Sequence, residues 1–140
     1  MADVGQSLRD LLLDDASVVA QVGSRVIPDS LAQGETLPAI TYRVISTTHE
    51  HDINGPKVGL ATARIAIECY ASTRVAANAL AELVRLSGIL DWEGDDNGVD
   101  VRAIEIDSGA EYLSEQNSEG SHELRYITAT DYSITYRETV

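Results

Sequence analysis

Hydrophobic residues recur along this chain with two different periods, and the switches between the periods divide it into elements. From Ser7 to Asp14, Leu8, Leu11 and Leu12 share one face at helical spacing, with Ser7 placed to cap the first turn. Asp15 can cap a second short helix, ASVVAQV, which Gly23 closes. Pro28, Gly34 and Pro38 then break any period and predict an irregular stretch. Strict alternation follows from Ala39 to Ser46, with Ile40, Tyr42 and Val44 on one face and Thr41 and Arg43 on the other. It resumes in LATARIAIECY, where Ala63, Ile65, Ile67 and Cys69 oppose Arg64 and Glu68.

Between these two strands TTHEHDINGPKVG reads as a polar loop or exposed strand extension turning at Asn54-Gly55-Pro56, so the pair predicts a long hairpin. Ser72 is placed to cap the next helix, in which Ala76, Ala79, Leu80, Leu83, Val84 and Ser87 form a stripe that Gly88 ends. Asp95 to Gly98 predicts a turn. Val99 to Ile106 predicts a strand whose parity switches between Ala103 and Ile104, the mark of a bulge or an edge position. SGAEYLSEQNSEGSH reads as a second long polar loop before a last alternating strand, Leu124 to Tyr136. Tyr126, Tyr132 and Tyr136 fall on one face of that strand. Hairpins outnumber βαβ alternation. The expected class is α+β: a mostly antiparallel four-stranded sheet with helices packed on one face, in a single domain over residues 1–140.

Charge narrows the function classes. Ten Lys and Arg against 23 Asp and Glu give a formal net charge of −13. So acidic a surface repels phosphate, and the cations are scattered singly, so direct gripping of nucleic acid is excluded. The acidity is either a well-solvated surface or the slippery lining of a channel that DNA traverses. A lone cysteine, Cys69, rules out an intramolecular disulfide and suits synthesis in a reducing cytoplasm. The first residues carry no basic and apolar leader pattern, and no apolar run is long enough for a membrane span.

The search for chemistry finds few candidates. His49-Glu50-His51-Asp52 puts two imidazoles on one strand face, yet a zinc site needs further ligands, and only His122 and Cys69 remain to supply them. Asp95-Asp96-Asn97-Gly98-Val99-Asp100 resembles a calcium-loop fragment without the closing Glu. Cys69 has no neighbouring His and sits on an inward face, as an inert thiol does. Gly-x-Ser-x-Gly, Gly-x-Gly-x-x-Gly and Gly-Lys-Ser/Thr are absent. No catalytic residue, metal or cofactor is therefore assigned.

Several landmarks occur in a telling order: SLRDLLLDDASVVAQVGSRVIPD, then LPAITYRVIS, then INGPKVGLATARIAIECYASTRVAANALAELVRLSGIL, then VDVRAIEIDS and YITATDYSITY. In this succession the chain resembles the tail-completion family of phages, which includes the tail-to-head joining proteins of long-tailed siphophages. The resemblance implies a non-catalytic virion protein made in the bacterial cytoplasm and located in the tail or neck. It implies a ring of copies, commonly six-fold, that ends tail-tube growth, contacts the tube protein and the head–tail connector or stopper, and passes DNA through its lumen. A closed ring uses heterologous contacts. The expected contact loops run from Thr47 to Gly59 (Thr48, His49, Glu50, His51, Asp52, Asn54, Lys57) and from Ser108 to His122 (Glu111, Tyr112, Glu115, Glu119, His122). A small acidic adaptor module without a virion role, and a metal enzyme built on His49 and His51, are the alternative readings.

Overall fold

The computed structural model describes residues 3–32, 34–51, 57–96, 98–116 and 124–137. The first helix, α1 (Val4–Leu13), begins a turn earlier than its leucines suggest. Asp3, not Ser7, is its cap, its carboxylate accepting from the Gly5 and Gln6 N–H groups at 3.0 and 3.2 Å. Ser7 is instead fully buried inside the helix, its hydroxyl donating to the Asp96 carbonyl at 3.2 Å. Asp15 caps α2 (Ala16–Val22) as expected, and Gly23 follows with a positive φ of 60°. Thr73, one residue after the expected Ser72, caps α3 (Arg74–Arg85) through the Ala76 N–H at 3.1 Å. The face that α3 buries is rotated by about a residue from the predicted stripe: Ala77, Leu80 and Val84 go inward while Ala76 and Ala79 stay exposed.

The sheet has six strands, not four. Along it the order is β1 (Val26–Pro28), β2 (Ala39–His51), β3 (Lys57–Ala71), β6 (Leu124–Arg137), β5 (Val99–Gln116) and β4 (Gly94–Asp96). Only β1–β2 is parallel; every other pair is antiparallel. The two unpredicted strands are three residues long and lie at the sheet's edges, too short for any alternation to show. The stretch after Ile106 is corrected as well: Ser108 to Gln116 continues β5 and pairs with β6. The irregularity expected between Ala103 and Ile104 is a bulge, and it falls just before Ala103. Val101 pairs with Tyr136 but Ala103 with Thr135, so Arg102 is the extra residue and Ile104 returns to the inner face opposite Ile134.

One face of the sheet carries the helices and the core. Ile40 and Tyr42, Ile65, Ile67 and Cys69, Val99, Val101 and Ile104, and Tyr132 and Ile134 pack with Leu8, Leu12, Val18, Val22, Leu80 and Val84 from the helices. Each fully buried side chain of this size contributes about 2 kcal/mol of transfer free energy. Polar contacts fix how α3 lies on the sheet: the Thr128 hydroxyl meets Asn78 Oδ1 at 2.6 Å, and Arg74 donates to the Ile127 carbonyl at 3.0 Å.

A smaller cluster sits on the opposite face, where Leu31, Ala39, Tyr70 and Ile127 are buried with Ile27 and Leu37 against them. Arg125 lies among them at 4% exposure, donating to the Leu31 and Ala32 carbonyls, both at 3.1 Å, with its guanidinium 5.1 Å from the centre of the Tyr70 ring. The segment after β1 is thereby held down on the sheet.

Where α1 meets β4, acidic groups crowd. The Asp96 carboxyl is held above the ordinary carboxylate range, by burial first and then by its hydrogen bond to Asp10 and the charges of Asp10 and Asp14; the Ser7 hydroxyl opposes the shift. A raised folded-state pKa means that the native protein binds this proton more tightly than the unfolded chain. The contribution to stability is fully present below the unfolded value of about 4 and is lost as pH rises through the folded value. At neutral pH the cluster is therefore a strain on the fold. Asp10→Asn removes one charge and leaves an amide able to donate to Asp96. It is expected to raise stability by about 0.5 kcal/mol at pH 7 and to give less at pH 4, measured as thermal unfolding at both values.

Candidate functional site

The two long hairpins are the feature that reaches beyond the packed core. In the first, β2 and β3 pair from Ala39–Tyr70 to His51–Lys57. Its β-branched and threonine-rich sequence keeps the strand extended where no helix covers it. In the second, β5 and β6 pair from Asp100–Arg137 to Gln116–Leu124. The hairpins point in opposite directions. Leu60, near the end of the first, pairs with Arg137, whereas Ala71 pairs with Tyr126 near the end of the second.

The expected contact residues divide between these ends. Thr48 and His49 are exposed on β2, with Glu50 and His51 after them and Lys57 opening β3. Glu111, Tyr112 and Glu115 are strand positions of β5 opposite Ala129, Thr128 and Arg125. Asp52, Asn54 and the Gly-Pro turn lie outside the described residues, and so do Glu119 and His122.

The face without helices is polar over much of its area. Arg64 on β3 reaches across the sheet to Asp131 on β6 at 2.7 Å and to Asp107 on β5 at 3.1 Å. This ties three strands together, though partly exposed pairs contribute at most about 1 kcal/mol. The Thr62 and Thr135 hydroxyls lie 3.1 Å apart on the same face.

Each short strand covers only one end of the edge it lies on. Opposite β1 stand only Ile40 to Tyr42 of β2, and opposite β4 only Val99 to Val101 of β5. From Arg43 onward on β2, and from Arg102 onward on β5, the outer backbone faces no strand among the described residues. Sequence reading could not find these edges, because they depend on which strands become neighbours.

Among the described residues no group of three or more His, Cys, Asp or Glu is placed to hold a metal ion. Burial, with Glu68 beside it, pushes the Cys69 thiol up to about 12, which keeps it protonated and unreactive. Asp95 accepts from the Gly98 N–H at 3.2 Å, the bond of a turn, and Asp100 pairs with Arg102 at 3.0 Å. A groove of about 540 Å³ along α3 is lined largely by Leu37, Pro38, Leu80, Leu83 and Leu86, with Glu82 on its wall paired to Arg85. Such a lining offers no acid–base pair.

The fold has a solved counterpart. A chain in the structure described as the virion of the native gene transfer agent (GTA) particle superposes with a TM-score of 0.62 at 14% identity, covering 95% of this chain and 94% of that one. No curated protein sequence matches. The family model described as "Tail completion protein gp17" matches residues 6–111, from α1 through the first part of β5. That match spans about three-quarters of the sequence: the chain belongs to the tail completion protein gp17 family and is a structural, non-enzymatic protein of the phage particle.

Proposed function

We propose that this protein completes the phage tail as a ring, six-fold in the particle, seated in the neck between the tail tube and the head–tail connector or stopper. The family match over residues 6–111 is the observation that carries this reading. The fold shared with a chain of the gene transfer agent virion is consistent with it. Residues 1–140 act as one domain, with its two long hairpins directed to opposite ends of the sheet, so that one end can meet the tube protein and the other the connector. The contact residues are Thr48 to Asp52, Asn54 and Lys57 at one end, and Glu111, Tyr112, Glu115, Glu119 and His122 at the other. A net charge of −13 suits a lumen through which DNA slides, because an acidic wall offers no clustered cations to replace the counterions of the phosphates. Synthesis is in the cytoplasm of the host bacterium.

The test is omission. Particles made without this protein should show tail tubes of irregular length that do not join heads, and added purified protein should restore joining in electron micrographs. Tails of normal length already joined to heads in its absence would refute the reading and leave the adaptor alternative standing.

A further inference from the structure

We infer that the open edges of β2 and β5 are the two halves of one interface, along which β2 of one copy adds to β5 of the next to continue the sheet from subunit to subunit. The inference rests on the ring reading above and names the surface that would close the ring.

Unpaired strand edges are adhesive, and proteins that stay monomeric blunt them with charge, proline or cover. Here β1, ending in Pro28, covers one edge at one end, and β4 covers the other edge at the other end. Between those covers both edges are open at the same height, with a register shift just beyond Val44 on β2 and just beyond Ile106 on β5. Val44 of β2 pairs with Ile65, Ile65 with Tyr132, and Tyr132 with Ile106 of β5, so one row of residues runs across the sheet from edge to edge. Both ends of that row are apolar and exposed, Val44 at 40% and Ile106 at 38%, with Ile45 beside Val44 at 46%. Half of the large hydrophobic side chains exposed among the described residues thus lie on these two edges, the others being Val19, Val75 and Leu86 in or at the end of the helices.

Direction and facing agree. β2, β3, β6 and β5 are successively antiparallel, so β2 runs opposite to β5. Rotation about an axis along the strands keeps each strand's sense, so the next copy's β2 meets β5 as an antiparallel partner, extending the ladder in its own kind. Val44 and Ile106 both lie on the helix side, in the row of Ile65 and Tyr132. Arg43 and Glu105 both lie on the helix-free side, in the rows of Ala66 and Ser133. Each is exposed, and neither has an ion-pair partner among the described residues. Continuing the sheet therefore places apolar against apolar on one side. On the other it places Arg43 against Glu105 and Asp107, the second of which also meets Arg64 at 3.1 Å. Opposite charges across neighbouring strands favour the pairing, and like edges brought together would lose that complement.

The experiment uses the full-length protein carrying Val44→Cys, Ile106→Cys, or both, with thermal unfolding confirming that each variant folds. Cys69 is buried and stays out of the reaction. Assembled tails or purified oligomers are treated with a short bismaleimide and run on denaturing gels. The double variant should give a ladder of multimers up to the closed ring. The two single variants mixed should give dimers, and each alone should give none. Rings visible by microscopy without cross-links overturn the edge assignment while leaving the ring intact. Cross-linking of Ile106→Cys alone overturns it in favour of a two-fold dimer. Absence of both rings and links overturns this inference together with the ring reading.

Discussion

Deletion of Glu50 to Lys57 is expected to leave a folded protein that no longer caps tails. The eight residues include the end of β2, the start of β3 and the segment between them. What remains is already arranged to close. His49 pairs with Ala61, so removal leaves Val58, Gly59 and Leu60 as a three-residue connection across an existing ladder position. Three-residue hairpin loops need a residue in the left-handed region, and Gly59 already has φ of 89°. The core begins below this point, with Ala61 and Ala63 fully buried, so the cost in stability is about 1 kcal/mol or less. Thermal unfolding and circular dichroism should therefore match the parent closely, while joining of tails to heads falls to background. The separation of the two readouts is what gives the result meaning. If the shortened protein joins heads and tails as well as the parent, this hairpin end is not a contact surface.

How far the fold was legible beforehand follows from which surfaces are buried on one side only. β2, β3 and β6 alternate because helices cover one face and water or ion pairs cover the other. Ile65 and Ile67 against Arg64 and Glu68 are that physics written in sequence. The bulge at Arg102 was legible for the same reason, since inserting one residue shifts every later side chain to the other face. Where no apolar face exists the signal vanishes. Thr47 to His51, open to either a loop or an exposed strand extension, is the extension, while Ser108 to Gln116, whose polar sequence reads as loop, continues β5. β1 and β4 are too short to carry a period. Ser7 misled as a cap because a serine in the first turns of a helix is equally suited to burial when a carbonyl, here that of Asp96, lies within reach. The contact residues at the hairpin ends could be nominated from polarity, but the open edges between β1 and β4 could not, because strand order is a property of the assembled sheet.

Arg125→Ala is expected to be the most destabilising single change considered, by about 3 kcal/mol, lowering Tm by roughly 10 °C. In the sequence this arginine looks like any polar position of an alternating strand, pointing away from Thr128 and Tyr132. The fold brings Leu31 and Ala32 over it from more than ninety residues earlier, and a solvated position becomes a buried one. Its planar guanidinium serves two carbonyls at once while lying over Tyr70, which a point charge on a flexible stem cannot reproduce. Alanine leaves both carbonyls without this donor and opens a void between Leu31, Tyr70 and Ile127. The net loss is smaller than the sum of these parts, because burying a cation is itself costly. Arg125→Lys should recover about half, keeping the charge but satisfying fewer acceptors. Local release of the covering segment is separable from global unfolding by cleavage after Glu35 with a glutamate-specific protease. The alanine variant should be cut there well below its Tm, and the parent should resist. Equal resistance in the two proteins, or a stability change under 1 kcal/mol, would show that the segment is held by Leu31 and Leu37 alone.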